Sequence, residues 1–304
     1  MEAIIIFYKY IAISDVEGIK RWQEKLCKDL QLKGRMILAA EGINATLAGK
    51  KRLLDKYIQL MNQHYLFSGI DYKFSDGSGN HFPRLSIKIK QEIVRLGISP
   101  SALSAQDAGV HLTPKQAHEL LQNKPDDLIV LDARNQCEWD IGHFKDAINP
   151  GITYFREFPE YIEKNLETFK NKQVLMYCTA GVRCERATAY LKQKNVALAV
   201  YQLYGGIHRY IEQYPNGFFR GKNYVFDGRI SVTSNTDVLT NCFICKTPCN
   251  DYTNCDNTRC NRHYISCEPC KTTFHNFCSQ SCIEIVKQFP HYTQSYKASQ
   301  NVTK

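Results

Sequence analysis

Cys178-Thr179-Ala180-Gly181-Val182-Arg183 follows the apolar run Val174-Leu175-Met176-Tyr177 and leads into a helical pattern at Cys184-Glu185-Arg186-Ala187. A cysteine at the end of a strand, under a short loop that opens a helix, stands where a nucleophile stands. Backbone N–H groups of such a loop converge on the sulfur, and the helix N-terminus and Arg183 both favour negative charge there. The thiol pKa is therefore expected to fall, leaving the thiolate as the reactive form. A plain buried cysteine closing a strand has the same local pattern, so the surroundings must decide. Arg183 is placed to pair with a phosphate or with the thiolate, or to brace the loop through backbone carbonyls. Cys184 could resolve a sulfenate or persulfide on Cys178 as a disulfide, or simply fill the first helical turn. Asp132 and Arg134 close a second strand pattern, Leu128 to Leu131, and form either a site ion pair or a structural one. Glu185 reads as an acid favoured at a helix N-terminus rather than as a general base.

Nine of the 13 cysteines lie between Cys242 and Cys282. In a reducing compartment such density reads as metal ligation rather than disulfide bonding. Two C-x2-C knuckles, Cys242/Cys245 and Cys267/Cys270, separated by 21 residues, point to a zinc site with four cysteine ligands. Cys255, Cys260, Cys278 and Cys282 could make a second, with Cys249, His263 and His275 spare or exchanged in; the spacing leaves the pairing open. An iron–sulfur cluster is the competing metal and would carry electrons, which zinc does not. The segment has few aliphatic residues, so metal binding must supply most of its stability. Arg259, Arg262 and Lys271 could bring it to RNA, or it could serve as a cap for folding or protein contact.

Apolar periodicity gives the elements that hold these residues. Residues 3 to 8 read as a buried strand, and Asp15 caps a helix with Ile19, Trp22, Leu26 and Leu30 on one face. A strand-turn-strand unit follows around Glu41-Gly42-Ile43-Asn44. A helix on Leu53, Leu54, Tyr57, Ile58 and Met61 and the strand Leu85–Ile89 complete a β-α-β-β-α-β order, the ferredoxin-like or acylphosphatase-like sandwich. From Thr113-Pro114, an N-cap with proline at the first helical position, strands and helices alternate as in an α/β fold with a mainly parallel sheet. In such sheets, chemistry sits beyond the carboxyl ends of the strands, where Asp132 and Cys178 fall. The expected organisation is 1–92 sandwich, 93–111 linker, 112–214 catalytic α/β domain, 215–241 connector with Tyr224-Val225-Phe226 as its strand, 242–285 metal-stapled module and 286–304 flexible tail.

With 304 residues the chain exceeds one core, and its 43% apolar share supports ordinary globular folding. The formal charge of +9 suits an anionic partner without requiring one. No apolar run approaches membrane-spanning length, so a cytoplasmic protein without membrane contact is expected. No Gly-rich dinucleotide fingerprint, flavin motif or facial triad is legible, so an electron donor is not identified, and the sequence does not fix an oligomeric state.

Asp132-Ala133-Arg134-Asn135, Glu138, Gly142-His143-Phe144 and Ala147-Ile148-Asn149-Pro150 resemble, in order and spacing, the signature of rhodanese domains, and Cys178 to Arg183 resembles their active-site loop. The resemblance implies a sulfur-carrying cysteine at Cys178, a charged pair near the site at Asp132 and Arg134, and a structural turn at Gly142-His143. A narrower set, Glu41-Gly42-Ile43-Asn44, Cys178 to Glu185, Gly205-Gly206-Ile207 and Val225-Phe226-Asp227-Gly228-Arg229, is similar to the rhodanese-domain tRNA uridine hydroxylases. Ala180 stands where that family has a second glycine, and Tyr204 where it has glutamate. This resemblance spans at least residues 1 to 235. It implies an oxidoreductase that uses O2 to convert wobble uridine 34 of tRNA to 5-hydroxyuridine, with Cys178 acting as thiolate or persulfide and the anticodon arm as partner. The alternatives are a sulfurtransferase carrying persulfide sulfur on Cys178, and a non-catalytic zinc-containing interaction protein.

Overall fold

A computed structural model of the chain describes residues 2–77, 81–227 and 229–293. The N-terminal domain runs β1 (Glu2–Tyr10), α1 (Val16–Asp29), β2 (Lys33–Ala39), β3 (Gly42–Lys50), α2 (Lys51–Gln63), β4 (Lys73–Asp76) and β5 (Leu85–Ile89). Asp15 caps α1 as its position predicts, accepting from the Gly18 N–H at 2.7 Å. The sheet order is β4-β1-β3-β2-β5, with only the β2–β5 pair parallel. The strand that closes the sandwich beside β1 is therefore β4, whereas Leu85–Ile89 is an addition at the opposite edge. Lys73-Phe74-Ser75-Asp76 offers one apolar residue in four, so its pattern is that of a loop; its strand character comes from backbone pairing with β1.

Alternation along the central strands divides the sheet into two faces. Ile5, Phe7, Met36, Leu38 and Leu47 pack with Leu26, Leu54 and Tyr57 from the helices into one core. The opposite face presents Ile6 and Tyr8 of β1, Arg35 and Ile37 of β2, and Asn44 and Thr46 of β3. The register aligns them in two rows, Tyr8–Asn44–Ile37 and Ile6–Thr46–Arg35. That face is turned to the second domain.

The second domain carries a parallel sheet ordered β6 (Val110–Leu112), β10 (Ala199–Leu203), β9 (Gln173–Tyr177) and β7 (Leu128–Asp132). Buried apolar clusters cover both faces, one built on Phe158, Phe169 and Leu191, the other on Phe144, Tyr177 and Tyr210. Thr113 and Pro114 open α3 (Pro114–Asn123) with a capping box. Residues 93–111, expected as linker, are partly built into this domain. Leu96 and Leu103 are buried in its core, and β6 pairs in parallel with β10. A three-residue edge strand is below the length at which periodicity registers.

Beyond it, α8 (Gly206–Gln213) leads to β11 (Phe219–Tyr224), which pairs with β8 (Gly142–Phe144) and β12 (Ser231–Thr233). The connector strand thus lies upstream of Val225-Phe226, because Phe219, Gly221 and Asn223 alternate inward with too little apolar character to be read. Described residues past 285 continue α10 (Gln280–Gln288) and a 3-10 turn at Pro290–Tyr292, so order extends beyond the expected start of the tail; residues 294–304 lie outside the described residues. Among the described residues, no helix is long and apolar enough to cross a membrane.

Candidate active site

Strand β9 lies between β7 and β10 and delivers Cys178 at its carboxyl end. Gly181 caps α7 (Val182–Gln193) with φ of +101°, a conformation glycine adopts without steric cost. A Cβ there would stand 2.8 Å from the Tyr8 hydroxyl, so the loop and β1 are in direct contact. The Gly181 N–H donates to the Cys178 sulfur at 3.2 Å. From below, the first turn of α8 holds the loop: Ile207 N–H donates to the Cys178 carbonyl at 3.0 Å and His208 N–H to that of Thr179 at 3.1 Å.

Burial opposes charge on Cys178, yet its pKa is lowered to about 5 by a hydrogen bond from the Cys184 thiol, the Arg183 charge, and the amides of Arg183 and Cys184. Burial and the neighbouring Cys178 push the Cys184 thiol far up, so at neutral pH the pair is one thiolate and one thiol. Val182 and Ala180 line the space above the sulfur with Thr179.

Arg183 pairs with a carboxylate of its own. Its guanidinium meets Glu138 through two bonds, Nη1 to Oε2 at 2.5 Å and Nη2 to Oε1 at 2.6 Å, while Thr179 Oγ1 donates to the same carboxylate at 2.8 Å. Burial opposes ionisation of Glu138, but Arg183 holds its carboxyl below the usual range. Arg183 consequently faces Cys178 with its own charge largely matched from behind. Asp132 and Arg134 form a fully buried pair joined by three side-chain hydrogen bonds, with Arg134 also tied to the Gly142 carbonyl at 2.6 Å. Neither lines the cavity over Cys178.

That cavity, about 450 Å³, lies between the domains. Its roof is the open sheet face, with Ile6, Tyr8, Arg35, Ile37, Asn44 and Thr46; its floor is the Cys178 loop, and Tyr154, Arg156 and Phe226 stand at the side. The domains are locked around it. Tyr8 Oη donates to Glu185 Oε1 at 2.8 Å, and buried Arg186 pairs with Glu92 at 2.5 Å and lies 3.9 Å from Glu41. Arg229, paired with Asp227, reaches Ser75 and the Asp76 carbonyl of β4. Glu185 is thus an interface residue bonded to Tyr8, His111 and Gln202. Periodicity alone does not reveal Glu138, Tyr8 or the cavity arginines; Glu138 was visible only as a member of the rhodanese signature.

The cysteine-dense segment folds into β13 (Tyr252–Asn254), β14 (His263–Ile265), α9 (Glu268–Phe274) and α10. Its eight candidate ligands fall into two groups, Cys242, Cys245, Cys267 and Cys270, and Cys255, Cys260, Cys278 and Cys282, each with all sulfurs within 4.8 Å of one another. Four thiolates around one tetrahedral ion at about 2.3 Å would be separated by roughly 3.8 Å. The Cys245–Cys267, Cys260–Cys278 and Cys278–Cys282 separations of 3.5, 3.6 and 3.8 Å fit such an ion. A multi-iron cluster spreads its thiolates over several metals and needs a wider cage. The groups interleave along the chain, so each links segments that the other separates. Cys249, His263 and His275 belong to neither group; His263 instead stacks on Tyr252 at 4.2 Å and bonds Asn254. The module packs on the second domain through Ile141 and through Tyr252 to Asp140.

A parallel α/β sheet that ends in a cradled cysteine, roofed by an acylphosphatase-like sandwich, defines a rhodanese-like enzyme with an added N-terminal domain. The family comparisons divide the chain in the same way: residues 3–93 match the UPF0176 acylphosphatase like domain, 113–213 the Rhodanese-like domain and 220–283 the Rhodanase C-terminal domain. Among relatives, the tRNA uridine(34) hydroxylase of Aster yellows witches'-broom phytoplasma is 38% identical over 285 residues, 92% of this chain and 91% of that protein. Those of Staphylococcus saprophyticus and Corynebacterium kroppenstedtii are each 36% identical, covering 99% and 92% of this chain and 94% and 97% of theirs. The chain belongs to the tRNA uridine(34) hydroxylase family.

Proposed function

We propose that this chain hydroxylates wobble uridine 34 of tRNA to 5-hydroxyuridine with O2 as cosubstrate, and that Cys178 is its catalytic residue. The observation that supports this most is a low-pKa thiolate on the floor of an interdomain cavity sized for a nucleoside. C5 of uracil is a weak nucleophile. Addition of the Cys178 thiolate to C6 makes C5 an enolate-like carbon able to take one oxygen atom of O2, the other leaving as water with two electrons and two protons from an external reductant; loss of the C5 proton and expulsion of the thiolate then restore the ring. Cys184, a thiol beside the thiolate, steadies that charge before addition and on expulsion. The Glu138–Arg183 pair and the first turn of α8 keep the loop in place.

The two cysteine groups are read as structural zinc sites, Cys242, Cys245, Cys267 and Cys270 holding one ion and Cys255, Cys260, Cys278 and Cys282 the other; zinc supplies fold stability there. The tRNA anticodon arm is the partner and the cytoplasm the location. A persulfide on Cys178 would occupy the same amide cradle, and a sulfurtransferase is the second reading on that account.

The test is nucleoside mass spectrometry of tRNA from cells with the intact gene, a deletion, or Cys178→Ser. Loss of 5-hydroxyuridine and its derivatives in both altered strains is expected. Unchanged modification in a strain with no second such enzyme sinks the reading, and cyanide-dependent thiocyanate formation lost in Cys178→Ser would then favour sulfur transfer.

A further inference from the structure

The residues lining the Cys178 cavity include four arginines and no carboxylate. Arg183 is matched by Glu138, whereas Arg35, Arg95 and Arg156 are exposed and form no ion pair among the described residues. In the second domain and the connector, arginines outside the cavity are paired. Arg134, Arg186, Arg209, Arg220 and Arg229 each have an acidic partner. Arg21, Arg52 and Arg84 also form no ion pair, but none of them lines a cavity identified in the fold. They are ordinary solvated charges and provide the internal control.

The three cavity arginines come from three places in the chain. Arg35 projects from β2 in the row Ile6–Thr46–Arg35, Arg95 lies in the segment between the domains, and Arg156 lies in the 3-10 turn Phe155–Glu157. Two aromatic rings accompany them, Tyr154 and Phe226, 51% and 49% exposed. Arg156 lies over the Tyr154 ring at 4.4 Å and Arg183 over that of Phe226 at 5.7 Å, so both rings are braced by cations. Unmatched guanidinium groups beside exposed ring faces are what single-stranded nucleic acid requires, phosphates on the former and unstacked bases on the latter. A duplex would present neither free base faces nor a nucleotide able to descend to the sulfur, because a base must leave its stack before chemistry reaches it.

Resting on the function proposed above, we infer that the rim of this cavity is a grip for a single RNA strand. Arg35, Arg95 and Arg156 hold phosphates flanking an extruded uridine, and Tyr154 and Phe226 stack the neighbouring bases. The two domains share the grip, so the N-terminal sandwich is a substrate-binding element as well as a lid.

The test measures equilibrium binding of an anticodon stem-loop RNA to the full chain over a series of salt concentrations. Variants are Arg35→Ala, Arg95→Ala and Arg156→Ala, with Arg52→Ala and Arg84→Ala as controls. Each cavity variant is expected to weaken binding and to lower the slope of log affinity against log salt by about 0.7 to 0.9, one phosphate contact each. A fully paired duplex of the same length should bind more weakly and show no dependence on these residues. Controls that behave like the cavity variants, or unchanged slopes in the latter, overturn the grip. So does an effect of the three arginines on binding of inorganic phosphate alone, which would make the rim a small-anion site. Binding does not need turnover: arginine-dependent binding without 5-hydroxyuridine formation supports the grip and sinks the hydroxylase reading, whereas normal turnover and KM in the three variants does the reverse.

Discussion

Replacing Cys184 with alanine removes the thiol that donates to the Cys178 sulfur, which makes the origin of the thiolate measurable. In the intact protein, burial raises the Cys178 pKa and the Cys184 hydrogen bond, Arg183 and the loop amides together lower it to about 5. A hydrogen bond to a charged group contributes roughly 1.5–3 kcal/mol. At 1.36 kcal/mol per unit, its loss moves the titration up by about 1 to 2 units, to about 6 to 7. The assay is the pH dependence of alkylation at Cys178 by a small iodoacetamide reagent, read from the Cys178 peptide by mass spectrometry so that the metal-site cysteines do not contribute. The wild-type midpoint is expected near 5 and the Cys184→Ala midpoint one to two units higher. A wild-type midpoint near that of a free thiol refutes the reasoning outright. An unchanged midpoint in the variant transfers the effect to Arg183 and the amides. Because the folded-state pKa is depressed, the stabilising contribution of this thiolate is full above the unfolded thiol pKa of about 8.5 and is lost as pH falls toward about 5.

Glu138→Gln leaves Arg183 buried without a counter-charge; breaking a buried pair costs about 3–5 kcal/mol, so calorimetry should find the unfolding transition clearly lower, and an unmoved transition contradicts the anchoring role. Gly206→Ala places a Cβ 2.5 Å from the Cys178 carbonyl at a φ of +65°, which should displace the loop and slow Cys178 alkylation, and wild-type alkylation kinetics would argue against the α8 support. The interleaved cysteine groups predict two bound zinc ions per chain by elemental analysis. Cys245→Ser or Cys260→Ser should reduce that content, whereas Cys249→Ser should leave it at two; a loss in Cys249→Ser would redraw the ligand sets.

Local chemistry explains what could be read early. The amphipathic spacing of α1 and α2, the Asp15 and Thr113 caps, and the apolar runs of β7 and β9 are short-range signals, and the structure places the elements where these signals put them. The Cys178 loop was legible for the same reason, since strand, glycine-bearing turn and helix N-terminus lie within a few residues. Strands β4 and β6 were not, being short or polar edge strands that owe their form to a neighbour. The rhodanese-like signature pointed to Asp132 and Arg134, but the fold puts that pair in the interior and gives Arg183 to Glu138, 45 positions away.

By itself, then, the sequence marked out the Cys178 loop, the two sheet-bearing domains and the cysteine-rich end, because each is encoded by spacing within one element or one short segment. Only the tertiary structure decided which cysteines cluster together, that the open face of the first sheet roofs Cys178, and that three unmatched arginines meet at its rim. Those arrangements depend on contacts between residues tens to more than a hundred positions apart, and periodicity carries no information over such distances.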